Sequence, residues 1–287
     1  MRSSPDNPLV PKCGRNANPS RFKRPWCSYV LRRRSLPDCR AMYSEQRSLQ
    51  PRTRAGISAP AGIGRDSAAP WPPAIEFPQY ATAERRADAA VHVVGLAFGL
   101  SACLVLGRAM RSGGHDLGTI AALAVYAGGL MAMLACSALY NLAEDGARKR
   151  LYRRLDHAAI FLMIAGTYTP FALVALGGAW GVGLLAVVWT AAAAGIAVEL
   201  LDRGRHDNLS VAAYLLLGWA VLPALGPLAG ALSPAGLALL VVGGVLYSVG
   251  AVFHVWTSLP YQNAIWHGFV LTAAACHYAA VLREVAA

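Results

Sequence analysis

Residues 208–282 form a run of 75 without a single Asp, Glu, Lys or Arg. No water-soluble domain carries such a run, because such a domain is about 25% charged. Residues 157–198 form a second charge-free run of 42. Crossing the hydrocarbon core of a bilayer takes about 20 apolar residues. The shorter run therefore fits two spans, broken at Gly177-Gly178, and the longer fits three, broken at Gly226–Pro234 and at Leu259-Pro260-Tyr261. Residues 88–107 and 117–141 supply two more. In lipid every backbone N–H and C=O needs an internal partner, so the spans are helices. The expected fold is all-α, a polytopic membrane protein built as a seven-transmembrane helix bundle.

The formal net charge of +11 points to nucleic acid only until the charges are located. Residues 1–80 hold 14 of the Lys and Arg and 12 of the 17 prolines, in runs such as Arg32-Arg33-Arg34. This segment shows no apolar period, so it cannot bury enough surface to offset the entropy of ordering. Residues 1–75 are thus expected to be a basic, Pro/Arg-rich disordered tail, and residues 76–287 the membrane domain. A transit peptide is opposed by the prolines; a true start near Pro70-Trp71-Pro72-Pro73 is the other reading. No nucleic-acid partner is expected, since no folded module accompanies the charge. Cys13, Cys27 and Cys39 lack zinc spacing, and Cys103, Cys136 and Cys276 read as small apolar residues within spans.

Loop charge sets orientation. Arg85 and Arg86 precede span 1, Arg148, Lys149, Arg150, Arg153 and Arg154 lie between spans 2 and 3, and Arg203 and Arg205 lie between spans 4 and 5. These segments share one side of a seven-span chain. The N-terminus is therefore expected in the cytoplasm, and membrane lipids are the expected partners.

An ionisable residue inside a span is costly and usually functional. Glu84, Asp88 and His92 are each four apart at the start of span 1 and share a helical stripe. Ser137 and Asn141 end span 2, Asp156 and His157 begin span 3, and Asn263 and His267 begin span 7. Ser137, Asn141, Asp156, Asn263, His267 and His92 are expected at one depth on the cytoplasmic side. His277, about 15 Å further along the axis than His267, is expected outside the group, His254 at its edge, and Glu199 and Asp202 in solvent. Pro170, in Gly166-Thr167-Tyr168-Thr169-Pro170, is expected to kink span 3, with threonine hydroxyls serving the freed carbonyls.

Ser137-Ala-Leu-Tyr140, Leu155-Asp156-His157, Ile164-Ala-Gly-Thr-Tyr-Thr-Pro170, Ala264-Ile-Trp-His-Gly-Phe-Val-Leu271 and Cys276-His277-Tyr278 resemble the bacterial hemolysin III family. That family is related to the adiponectin and progestin receptors and, more remotely, to alkaline ceramidases. The resemblance covers about residues 75–287. It implies a bacterial inner-membrane protein with zinc near the cytoplasmic face. The implied ligand pattern is Ser and His four apart ending span 2, Asp beginning span 3, and two His four apart beginning span 7. Ser137, Asp156 and His267 match. Asn141 and Asn263 stand where two ligand histidines are expected, and Asp88 replaces an expected Asn in span 1.

A carboxamide oxygen is a poor zinc donor compared with an imidazole. Three outcomes follow: a metal-free cluster closed by amide hydrogen bonds, substitute ligands drawn from His92, His157 or His254, or a harder cation held through oxygen. Two function classes follow in turn. One is a zinc-dependent lipid amide hydrolase, with Ser137 and Asp156 catalytic and His267, Asp156, His92 and His157 offered to the metal. The other is a non-enzymatic, receptor-like or regulatory membrane protein. A pore-forming cytolysin, the idea in the family name, lacks the sustained polar stripe of a conducting lumen.

Overall fold

A computed structural model describes residues 80–201 and 207–286, all within one compact unit, Ser67–Ala287. The tail at 1–75 with its three cysteines, and Asp202, Arg203 and Arg205, lie outside the described residues. The described residues are helical throughout, without a strand, and include seven helical spans long and apolar enough to cross a membrane.

Helix α1 covers Thr82–Ser112 and α2 Leu117–Leu142. Helix α3, Ala147–Pro170, continues into a π-helical turn at Phe171–Leu176, and α4 is Gly178–Leu201. The fifth crossing is composite: α5 (Asp207–Gly218), a 3-10 turn (Leu222–Ala224) and α6 (Leu225–Ala231). Helices α7 (Pro234–Val255) and α8 (Gln262–Glu284) complete the bundle. Two starts carry side-chain caps. Asp116 accepts from the Thr119 N–H at 3.0 Å, and Ser233, followed by Pro234, accepts from the Gly236 N–H at 3.1 Å.

Helix α1 packs between α2 and α8, α2 packs on α3, α3 on α4 and α5, and α7 on α8. The third span is the most enclosed: 56% of its most apolar window is buried, against 17% for the fourth. Tyr126, Leu130, Met133 and Met163 pack between α2 and α3, and Phe161, Ala165, Val188 and Ala192 between α3 and α4. Val93, Leu100, Leu104, Val182 and Val187 point outward, as a lipid-facing surface requires.

Three backbone interruptions shape the bundle. Gly177 and Gly178 take φ of 59° and 54°, so the chain reverses where the sequence break was placed. Before it, Pro170 lies inside α3, and Thr169 Oγ1 donates to the Ala165 carbonyl at 2.8 Å. Thr167 does the same for Met163 at 2.9 Å, so the two hydroxyls serve their own i−4 carbonyls rather than that of Gly166, which Pro170 leaves without its helical N–H. In the fifth crossing the helix stops at Gly218, earlier than the Gly226–Pro234 boundary, and resumes through Pro227 to Ala231. Pro227 falls in the first turn of α6, where no helical N–H is needed. The Tyr168 hydroxyl lies 2.7 Å from the Gly218 carbonyl and 3.2 Å from that of Leu217, where the helix ends.

Candidate metal and catalytic centre

The centre lies where α1 and α8 begin and α2 ends. Two contacts set the register of α1 against α8. The Glu84 carboxylate accepts from the Ala81 N–H at 2.7 Å and from the Tyr261 N–H at 3.0 Å. Tyr261, just before α8, is left-handed at φ 58°. With that start pinned, the four-residue steps Asn263/His267 and Asp88/His92 face each other across the α1–α8 seam.

Asp88, His92 and His267 are all buried, and one ligand atom from each lies within 4.8 Å of the others. Asp88 is the hub. Its Oδ1 is 2.7 Å from His267 Nδ1, and its Oδ2 accepts from the Asn263 amide at 3.0 Å. With Asp88 ionised and no ion bound, this contact puts the His267 proton on Nδ1 and the lone pair on Nε2. That lone pair faces the Ser137 hydroxyl at 3.4 Å. A metal shared with Asp88 would take Nδ1 and leave the proton on Nε2. The Asn263 amide also donates to Asn141 Oδ1 at 3.0 Å, and the Asn141 amide donates to the Ser137 carbonyl at 3.0 Å. The His92 ring lies 4.4 Å from that of His267. Its Nε2 is 3.4 Å from Asp88 Oδ2 yet makes no directed hydrogen bond, a buried nitrogen left with an unused lone pair or proton.

Sequence reasoning placed Ser137, Asn141, Asp156, Asn263, His267 and His92 at one depth; contacts link Ser137, Asn141, Asn263, His267 and His92, and Asp156 adjoins Ser137. Asp156 is buried on α3, and its carboxyl faces the Ser137 hydroxyl. His157 turns the other way: its Nδ1 is 3.4 Å from Glu199 Oε2 on α4, and its carbonyl accepts from the Tyr214 hydroxyl at 3.1 Å. Glu199, expected in solvent, is buried instead and also accepts from Ser210. Ser210 and Tyr214 are four apart on α5, but no local spacing links them to His157 or Glu199, so this second polar cluster is visible only in three dimensions. The His254 ring lies tilted against that of Trp266, centroids 5.0 Å apart, and His277 bonds to the Leu240 carbonyl at 3.1 Å. Asp88 is the candidate ligand that the site assignment from sequence omitted. Its signal was present, a carboxylate one turn inside an apolar span and four residues before a histidine.

The two imidazoles and one carboxylate fit a divalent metal. Two His and a carboxylate, with a further position open, form a recurrent catalytic zinc set, and the unpartnered His92 nitrogen gains a role in it. A cavity of about 1660 Å³ reaches the group, with Ser137, Asn141 and Asp156 on its wall and Leu134, Val270 and Leu271 extending it into the apolar bundle.

Residues 82–278 match the protein family described as Haemolysin-III related. The chain belongs to that family. It is 37% identical over 203 residues to Hemolysin-3 of Bacillus cereus, covering 70% of this chain and 92% of that protein. It is 36% identical over 201 residues to the Hemolysin-3 homolog of Bacillus subtilis (strain 168), covering 69% and 93%. A human protein, Monocyte to macrophage differentiation factor, is 29% identical over 167 residues, covering 55% and 68%. No solved structure matches the chain. In this haemolysin-III-related protein the amides of Asn141 and Asn263 link α2, α8 and Asp88, so they act as hydrogen-bonding groups at the positions where the resemblance implies imidazole ligands.

Proposed function

We propose that this haemolysin-III-related protein is a metal-dependent hydrolase of lipid amides in the bacterial inner membrane, with its N-terminus and its site on the cytoplasmic side. The observation that carries the reading is the Asp88–His92–His267 donor set beside Ser137, on a cavity large enough for an acyl chain. The basic segments at Arg85–Arg86 and Arg148–Arg154 support the orientation, since both lie at the end of the bundle that holds the site.

Asp88, His92 and His267 hold the metal, for which zinc suits the donor chemistry. The bound ion supplies Lewis acidity, polarising a carbonyl oxygen and making water a better nucleophile near neutral pH. Asp156 takes the proton from the attacking water, and Ser137 orients the water or the carbonyl by its hydroxyl. The apolar wall formed by Leu134, Val270 and Leu271 takes the acyl chain and excludes bulk water. His157 faces Glu199 on the other side of α3, away from the Asp88–His92–His267 group.

A second, non-enzymatic reading is favoured by one observation: the Asn263 amide already satisfies both Asp88 and Asn141, which closes the cluster without an ion. Reconstituted protein separates the two. In liposomes containing a long-chain N-acyl lipid amide, hydrolysis predicts fatty-acid release that stops on chelation, returns with zinc, and falls at least ~10²-fold in His267→Ala. Zinc-loaded protein that releases no fatty acid would leave the structural role.

A further inference from the structure

Ser137, His267 and Asp88 stand in a line across three helices. Ser137 Oγ lies 3.4 Å from His267 Nε2, and His267 Nδ1 lies 2.7 Å from Asp88 Oδ1. This is the order of contacts in a nucleophile–base–carboxylate triad: a hydroxyl on one imidazole nitrogen and a buried carboxylate on the other, fixing the tautomer. Triads are recognised by geometry and roles rather than by chain order. A nucleophile–base distance in the absence of substrate is often looser than in the reacting complex. The carboxylate is decisive, because an amide at position 88 offers no charge to stabilise an imidazolium. Asp88 is also oriented from its other oxygen by the Asn263 amide, which removes one of its rotational alternatives.

We infer that the metal-free protein has a second activity, in which Ser137 is the nucleophile of a serine acyl hydrolase acting on lipid acyl esters. Ser137 Oγ bonds to the ester carbonyl carbon while its proton passes to His267 Nε2. The ester C–O bond then breaks, and His267 returns that proton to the departing alcohol. Water next attacks the acyl-Ser137 ester, giving its proton to His267, and the carboxylic acid leaves as the Ser137 hydroxyl is restored. Asp88 is a positioning residue that holds the imidazole and balances its charge throughout. The substrate class follows from the cavity: Leu134, Val270 and Leu271 receive an acyl chain, while Arg85, Arg150 and Arg154 lie along the same cavity toward the headgroup level. A metal shared by Asp88 and His267 takes Nδ1 and leaves the ring proton on Nε2, which then cannot accept the Ser137 proton, so the two activities alternate with metal occupancy.

The test uses the full-length protein in detergent or liposomes and a long-chain alkyl fluorophosphonate, which bonds phosphorus to an activated serine oxygen and expels fluoride. In chelator, wild type labels on Ser137, identified by peptide mass spectrometry. Ser137→Ala does not label, and His267→Ala labels at least ~10²-fold more slowly. Asp88→Asn lowers the maximal labelling rate by a similar factor while the probe concentration for half-maximal rate stays the same, a split that a merely structural defect does not produce. Saturating zinc suppresses labelling. As a check independent of the fluorophosphonate, Ser137→Cys is alkylated by iodoacetamide faster than Ser137→Cys/His267→Ala. Absence of label on wild-type Ser137 in chelator, or labelling that is the same in His267→Ala, overturns the triad. Either result leaves the metal-dependent reading standing, because that reading is measured by metal content and by chelator-sensitive amide hydrolysis.

Discussion

Asn141 and Asn263 show how one residue type alters a site without dismantling it. Each amide bonds where an imidazole lone pair is expected, and together they tie three helices to Asp88. The shift from imidazole to amide was legible in the sequence; the partner that takes up the slack was not, because Asp88 joins the site through contacts to residues 175 and 179 positions away. Restoring imidazoles should strengthen the centre. Asn141→His/Asn263→His is expected to bind zinc ~10-fold or more tightly than wild type, measured by competition with a chromophoric chelator. Asp88→Asn is expected to weaken zinc ~10–100-fold in the same titration. If the double histidine variant binds no tighter, positions 141 and 263 do not face the ion.

Among the elements, α3 and its neighbours carry the most specific packing. A Cβ on Gly181 would stand 2.0 Å from the Ala172 carbonyl oxygen, so α4 meets the π-helical turn through bare backbone. Gly181→Ala is expected to cost ~1–3 kcal/mol by overpacking, seen as a lower midpoint of thermal unfolding in detergent. Gly183→Ala, with nothing within 4 Å of the added carbon, serves as the neutral comparison. Tyr168→Phe removes the hydroxyl that serves the Leu217 and Gly218 carbonyls and is expected to cost ~1–3 kcal/mol. The spans themselves were readable because an apolar run has a minimum length in lipid. The break inside the fifth crossing was not, since Pro223 and Pro227 sit in first turns that tolerate proline as readily as a loop does. Asp116, between α1 and α2, adds a pH effect. Its bonds to Thr119 hold its carboxyl below the usual carboxylate range, so the cap stabilises α2 above an unfolded pKa of ~3.9 and weakens as pH falls through the lowered native value. Asp116→Asn should flatten that acid limb of the unfolding midpoint without abolishing the fold.

At the scale of the whole molecule, a bundle in which α8 returns to α1 brings chain ends about 180 residues apart into one buried cluster. The sequence specified which residues are polar at the helix ends and how deep they lie, but helical spacing alone does not say which faces meet. Topology carries its own prediction. With the N-terminus inside, a C-terminal reporter that works only in the cytoplasm stays silent, and a bright signal would reverse the orientation. The most direct measurement is the metal content of purified, full-length protein by elemental mass spectrometry, with His267→Ala beside it. About one equivalent of a divalent metal per chain, absent from the variant, is the expected result; a metal-free wild type after zinc loading and desalting would contradict a centre built on Asp88, His92 and His267.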